Sequence, residues 1–168
     1  EMYPYMQKGI DYLFKEMDQN GNLFPEGYGI MEVRGLNAEL IDVSVYAQQA
    51  LDVMSKAASL FGDESLAEEY ASRSATLLEK INTCFWDEDV QSYCDFYGMR
   101  DQALQTTKGA MEQVSLSSKT DDPIRATHLK LYEEMYRSFE KYPKGTEKGW
   151  CTNINWVIST PMEVGIAP

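Results

Sequence analysis

Between Phe24 and Val43 the stretch FPEGYGIMEVRGLNAELIDV gathers Glu26, Glu32, Glu39 and Asp42 with Arg34, Tyr28 and three glycines. Carboxyl groups at this density suit proton transfer, because one can be kept protonated to donate while another stays ionised to accept. The stretch is also too long and too aromatic for a plain connector. Each residue has a plainer role as well. Glu32 could pair with nearby Arg34 in solvent, and Glu26 sits in a Pro-Glu-Gly turn. Asp42 falls where a helix begins, so free N–H groups and the helix dipole would stabilise it as a cap. Glu39 is expected on the surface.

Helical period supplies the elements that must position these groups. Within Tyr3 to Met17 the apolar residues Met6, Ile10, Leu13 and Met17 recur at helical spacing, with Pro4 suited to a first turn. From Ile41 to Phe61 the stripe is Val43, Ala47, Ala50, Met54, Ala58 and Phe61, and Gly62 is a natural stop. A third helix, Glu64 to Phe85, carries Leu66, Tyr70, Leu77, Ile81 and Phe85, and a weaker fourth runs from Gln102 to Val114. The fifth opens with Asp122 as cap and Pro123 in the first turn, and its stripe runs Ile124, His128, Leu131, Met135, Phe139 and Tyr142. Of extended structure, SYCDFYG reads as at most a short piece. The expectation is an all-α fold of antiparallel helix hairpins. Long and short connections alternate along the chain, so the long, carboxylate-bearing loops should gather at one end. The alanine-rich second helix suits an inner position and the charged third helix an outer one.

Composition bounds the partners. The chain has 168 residues, 43% hydrophobic and 12% aromatic, which fits one folded domain with a real core. A net charge of −12 argues against nucleic acid, whose phosphates need clustered Lys and Arg. No apolar run is long enough for a membrane span, and EMYPYMQKGIDYLF lacks the basic start and plain apolar stretch of a signal peptide. A soluble protein is expected, cytoplasmic or periplasmic. Cys84, Cys94 and Cys151 have no metal-ligand spacing, and an odd count is no disulfide framework, so they read as ordinary buried thiols. Neither cofactor nor metal is expected. DQNGN is read as a turn and not a calcium loop, because Leu23 and Gly29 stand where such a loop needs glycine and glutamate. His128 is expected in a core or interface.

Two long stretches carry a family likeness. DQNGNLFPEGYGIMEVRGLNAELIDVSVYAQQALDVMSKAASLFG, with EEYASRSATLLEKINTCFWDEDVQSYCDFY after it, resembles the catalytic toroid of six-hairpin glycosidases. The likeness is to the amylo-α-1,6-glucosidase or glycogen-debranching type, with inverting α-glucosidases and glucoamylases as relatives. The tail GWCTNINWVISTPMEVGIAP resembles a later active-site loop of the same proteins. The resemblance implies part of an (α/α)6 toroid, with residues 1–168 a single domain cut from a larger catalytic ring and not active alone. It also implies a carbohydrate hydrolase that inverts at the anomeric carbon, acting on an oligosaccharide or polysaccharide.

Glycosidic cleavage generally needs one carboxyl group to protonate the leaving oxygen and another to activate water or attack. In glucoamylases the acid lies in a Gly-Tyr-x-x-Trp-Glu pattern, and GYGIME places Glu32 there, with Met31 where the tryptophan would be. The likeness therefore gives Glu32 the acid role. Glu26 competes for that role or binds sugar hydroxyls from its turn. Tyr28, Arg34 and Asp42 would touch substrate, and Trp150, Asn153, Asn155 and Trp156 would offer stacking and hydroxyl contacts. Glu163 would contact substrate or cap the next helix. The second catalytic carboxylate is expected from a hairpin outside this chain. A different class also accommodates the pattern: a helical-repeat interaction module whose loops grip a protein. A toroid closes by packing its first hairpin on its last, so an open piece of one would expose covered faces and self-associate, or persist as a stable remnant of a longer chain.

Overall fold

The computed structural model describes residues 2–30, 37–116, 123–152 and 156–168. The main helices form where the apolar period places them: α1 (Tyr3–Asp11), α2 (Ile41–Leu60), α3 (Glu64–Cys84), α4 (Arg100–Leu116) and α5 (Pro123–Glu140). A π-helical turn, Tyr12–Glu16, extends α1, and a 3₁₀ turn, Trp156–Ser159, leads into the short α6 (Thr160–Glu163). Asp63 caps α3 by accepting from the Leu66 N–H at 3.1 Å, which sharpens the turn from α2 into α3.

The links between helices overturn the all-α expectation, and with it the toroid of plain helix hairpins. They form β1 (Glu26–Gly27), β2 (Ala38–Leu40), β3 (Trp86–Asp87), β4 (Ser92–Tyr93), β5 (Phe96–Met99) and β6 (Glu147–Trp150). A four-stranded antiparallel sheet runs β1-β2-β5-β6, and β3 and β4 make a separate pair. The fold is mixed α/β. Its strands are too short to show an alternating pattern, and their partners lie on links far apart in sequence. Backbone N–H and C=O groups buried beside the helix ends must still find partners, and pairing the links with one another supplies them.

The sheet fixes one end of the molecule. β2 leads directly into α2, β5 into α4, and β6 follows α5, so three long links meet as adjacent strands. The row Leu40, Phe96 and Trp150 lies on one face of the sheet, each residue at most 1% exposed. Gly149 is required beside this row: a Cβ there would lie 2.6 Å from the Cys84 carbonyl oxygen and 3.1 Å from Cys94 Sγ.

Below the sheet, α2 and α3 pack along their lengths. Val45, Leu51, Leu77 and Ile81 are fully buried between them, and Gln48 Nε2 donates to Ser74 Oγ at 2.9 Å inside the same contact. Tyr46, Val53 and Leu60 of α2 stay exposed at seven-residue spacing. On α5 only Met135 and Phe139 of the expected stripe are buried; Ile124 and Leu131 are exposed. His128 is exposed too, not a core residue. No described helix is long and apolar enough to cross a membrane.

Burial separates two leucines. Leu77 is 0% exposed and Leu60 is 86% exposed. Leu77→Ala should lower unfolding free energy by about 2–5 kcal/mol, and Leu60→Ala should change it by less than about 0.5 kcal/mol. Urea denaturation of the two variants checks this difference.

Candidate functional site

The turn Asp18-Gln19-Asn20-Gly21-Asn22 is folded around a carboxylate. Asp18 Oδ1 accepts from the Asn22 N–H at 3.0 Å and Oδ2 from the Leu23 N–H at 2.9 Å. Asn22 Oδ1 in turn accepts from the Phe24 N–H at 2.8 Å. This turn presents two side-chain amides to Glu39: Asn20 Nδ2 and Asn22 Nδ2 donate to its Oε1 at 2.7 and 2.8 Å.

Glu39 is therefore not on the surface, as its polarity suggested. It is 7% exposed, on the sheet face opposite Leu40. Pairing sets Glu26 directly across from it on β1 and Tyr97 across from it on β5. Its Oε2 is buried with no hydrogen-bond partner among the described residues. Burial pushes the Glu39 carboxyl above its ordinary range, the Asn22 and Asn20 amides oppose that shift, and the charges of Glu26 and Glu147 add to it. Burial also pushes the Tyr97 hydroxyl up, to about 12, with the Glu147 charge acting the same way. The arrangement is a row of acidic groups around one carboxyl with raised proton affinity.

Asp42 lies just past this row and is 1% exposed. It does not cap α2: Leu40 is the cap residue and no side-chain cap bond forms. Instead Asp42 Oδ2 accepts from the Ile30 N–H at 2.8 Å. The loop must come close to allow this. Gly29 has φ +55°, and a Cβ there would lie 2.9 Å from the Asp42 carboxylate and 2.5 Å from Leu40 Cδ1, so glycine is needed both for backbone and for space. Asp42 Oδ1 is buried and without a partner among the described residues.

The other candidates separate. Glu26 is half-buried and Tyr28 is 66% exposed beside the same loop. Glu32, Arg34, Asn153 and Asn155 lie outside the described residues. Trp150 is no stacking platform. It is 1% exposed, donates from Nε1 to the Gly98 carbonyl at 2.7 Å and meets Phe139 and Tyr142 edge-on. Trp156 is 57% exposed. Glu163 is exposed and accepts from Ser159 Oγ at 2.9 Å, a local contact within its own helical turn.

A second polar group flanks β6. Lys148 Nζ bonds Asp87 Oδ2 at 2.8 Å and Tyr142 Oη at 3.4 Å. Burial alone would raise the Asp87 carboxyl, but Lys148 and the N–H groups of Asp89 and Val90 hold it below its ordinary value. Both line a cleft of about 570 Å³ with Met135, Phe139, Tyr142 and Cys151. Asp87, Cys94 and Cys151 bring potential ligand atoms within 4.8 Å of one another. Asp87 is already bonded on both oxygens, and the sulfurs are 2.8 Å apart. Two thiolates on one tetrahedral zinc would stand roughly 3.8 Å apart, from Zn–S bonds of about 2.3 Å. The cluster as it stands is not arranged to hold an ion.

Sequence reasoning missed Glu39, its two asparagines and the Asp87–Lys148 pair. The signal for the first was present in DQNGN, where side chains that favour turns are spaced to point the same way. Comparison with protein-family models, curated proteins and solved structures finds no match to this chain.

The raised Glu39 carboxyl makes stability depend on pH. Below its ordinary value near 4.5 both folded and unfolded chains hold the proton. Above that value the unfolded chain releases it while the folded chain retains it, so stability falls as pH rises to the folded pKa. Glu39→Gln should flatten this fall. Urea midpoints measured from about pH 4 to pH 7 should converge at the acid end and favour the glutamine variant at the neutral end. Equal slopes would mean that Glu39 holds no extra proton.

Proposed function

We propose that this chain forms part of a carbohydrate hydrolase acting on glucosidic bonds, with substrate at the sheet end. The observation that supports it is Glu39: a buried carboxyl with raised proton affinity, one oxygen held by two amides and the other without a partner among the described residues. A general acid needs this environment, because it must carry a proton at a pH where ordinary carboxyls have lost theirs. The family likeness gives the acid role to Glu32. Among the described residues Glu39 has the surroundings of an acid, and Glu26, Tyr28 and Asp42 stand near it to hold hydroxyls. Exposed Trp156 offers an aromatic face for a sugar ring.

Titration with α-linked gluco-oligosaccharides, followed by amide chemical shifts, tests this proposal. Shifts should centre on Glu26, Tyr28 and Glu39, and Glu39→Gln should keep the binding. Any hydrolysis by the chain should fall roughly a hundredfold or more in that variant. Absence of shifts at millimolar sugar, or shifts confined to the Lys148 cleft, would overturn the assignment.

Self-association belongs to the same proposal, supported by the exposed stripe Tyr46, Val53 and Leu60. Sedimentation should show average mass rising with concentration, and Val53→Lys should suppress the rise. A strictly monomeric chain at high concentration counts against it.

A further inference from the structure

Two of the three free cysteines meet at the end of the sheet. Cys94 precedes β5 and is 0% exposed; Cys151 follows β6 and is half-buried. Their Sγ atoms are 2.8 Å apart. Backbone pairing holds them there: Phe96 is in register with Trp150, and the Asp95 N–H donates to the Trp150 carbonyl at 3.1 Å. Cys94 is fixed further by its N–H to the Phe85 carbonyl at 2.6 Å. Contact between sulfurs at this distance is shorter than ordinary van der Waals packing and longer than the roughly 2.05 Å of a disulfide. A bond needs the sulfurs to close by roughly 0.75 Å from their 2.8 Å separation.

The two thiols differ in access. Cys151 lines the cleft of about 570 Å³ that Lys148, Lys141 and Tyr142 also line, whereas Cys94 lies behind it. The hydrogen bond with Cys151 and its own burial both hold Cys94 in the thiol form. Cys84 lies outside this pair. It is half-buried near the end of α3, and its side chain contacts Thr83.

We propose that Cys94 and Cys151 form a reversible dithiol–disulfide pair that reacts with low-molecular-weight disulfides entering the cleft. The Cys151 thiolate attacks one sulfur of the small disulfide, forming a mixed disulfide and releasing one small thiolate. Cys94, deprotonated as it reacts, then attacks Cys151 Sγ and releases the second. The protein gains one S–S bond and loses two protons, and the small disulfide takes up both electrons and leaves as two thiols. Access decides the order, with Cys151 attacking and Cys94 resolving. Lys141 and Lys148 on the cleft wall stand among Asp87, Asp89 and Glu134, with Lys148 paired to Asp87, so access and not charge selects small disulfides, of which glutathione disulfide is one. The bond joins positions 57 residues apart, around the α4–α5 hairpin. Such a cross-link restricts the unfolded chain and stabilises the fold.

Glutathione disulfide is the probe. After incubation and removal of the reagent, reactive thiols on the unfolded chain should fall from three to one, with the protein about 2 Da lighter. Peptide mapping should recover a Cys94–Cys151 link with Cys84 unmodified. The melting temperature should rise by several degrees and return with reductant. Cys94→Ser should accumulate one glutathione on Cys151, and Cys151→Ser should leave Cys94 unreacted. The mapping uses the unaltered chain, so it decides even where a variant fails to fold. A link involving Cys84, three free thiols after prolonged exposure, or stable glutathione on Cys151 of the unaltered chain would each overturn the proposal.

Discussion

Antiparallel pairing of β2 with β5 is the constraint on which the rest of this structure depends. Glu39 faces Tyr97 and Leu40 faces Phe96 across it. β1 joins only through β2 and β6 only through β5, so without this pairing the links share no frame. Individual hydrogen bonds contribute only about 0.5–1.5 kcal/mol net, and the strands are too short to stand alone. What secures them is the buried row Leu40, Phe96 and Trp150 on one face. Register is then fixed, because a slip of one residue would bring Glu39 into that row and turn Leu40 out of it.

Burial of Glu39 follows from the same register. The residue before Leu40 must face away from the apolar row, and on that side the Asn20–Asn22 turn covers it. The sheet also sets the start of α2. The Ile41 N–H donates to the Asp95 carbonyl at 3.1 Å, so a first-turn donor of the helix finds a partner in β5's approach and not in a capping side chain. That frees Asp42 from the capping role its position suggested. Its carboxylate reaches back to the Ile30 N–H instead, and Gly29 gives it room.

The helices were legible in the sequence because their apolar stripes run for several turns. Leu77, Ile81, Met54 and Ala58 were placed on core faces by period alone, and the structure buries all four. Of the strands, only SYCDFYG was legible as extended, and it holds β4 and most of β5; the others were not. Ala38-Glu39-Leu40 is buried at every position, so it shows no alternation, and its partners come from links more than fifty residues away in the case of β5. The site inherits that opacity. Glu39 reads as an exposed glutamate until the sheet covers it, and Trp150 reads as a ligand platform until Phe139 and Tyr142 close on it. His128 fails for a different reason: its stripe is helical, but within that stripe only Met135 and Phe139 are buried. Periodicity reports which face is apolar, not how far along the helix a partner extends.

Two carboxylates at the head of α2 are costly as the structure holds them. Glu39 Oε2 and Asp42 Oδ1 are both buried without partners among the described residues, and an unmet buried acceptor costs about 1–3 kcal/mol. No described cation forms an ion pair with either carboxylate, in contrast to Asp87, which Lys148 holds at 2.8 Å. Structural ion pairing, the usual alternative origin of a perturbed carboxyl, is therefore absent from Glu39 among the described residues. Asparagine or glutamine of similar size would remove the charge and much of the cost. Groups that lower stability without serving packing are expected where chemistry or binding needs them. Their joint position, on one strand and the first turn of the helix that follows it, makes that end of the sheet the place to look for a ligand.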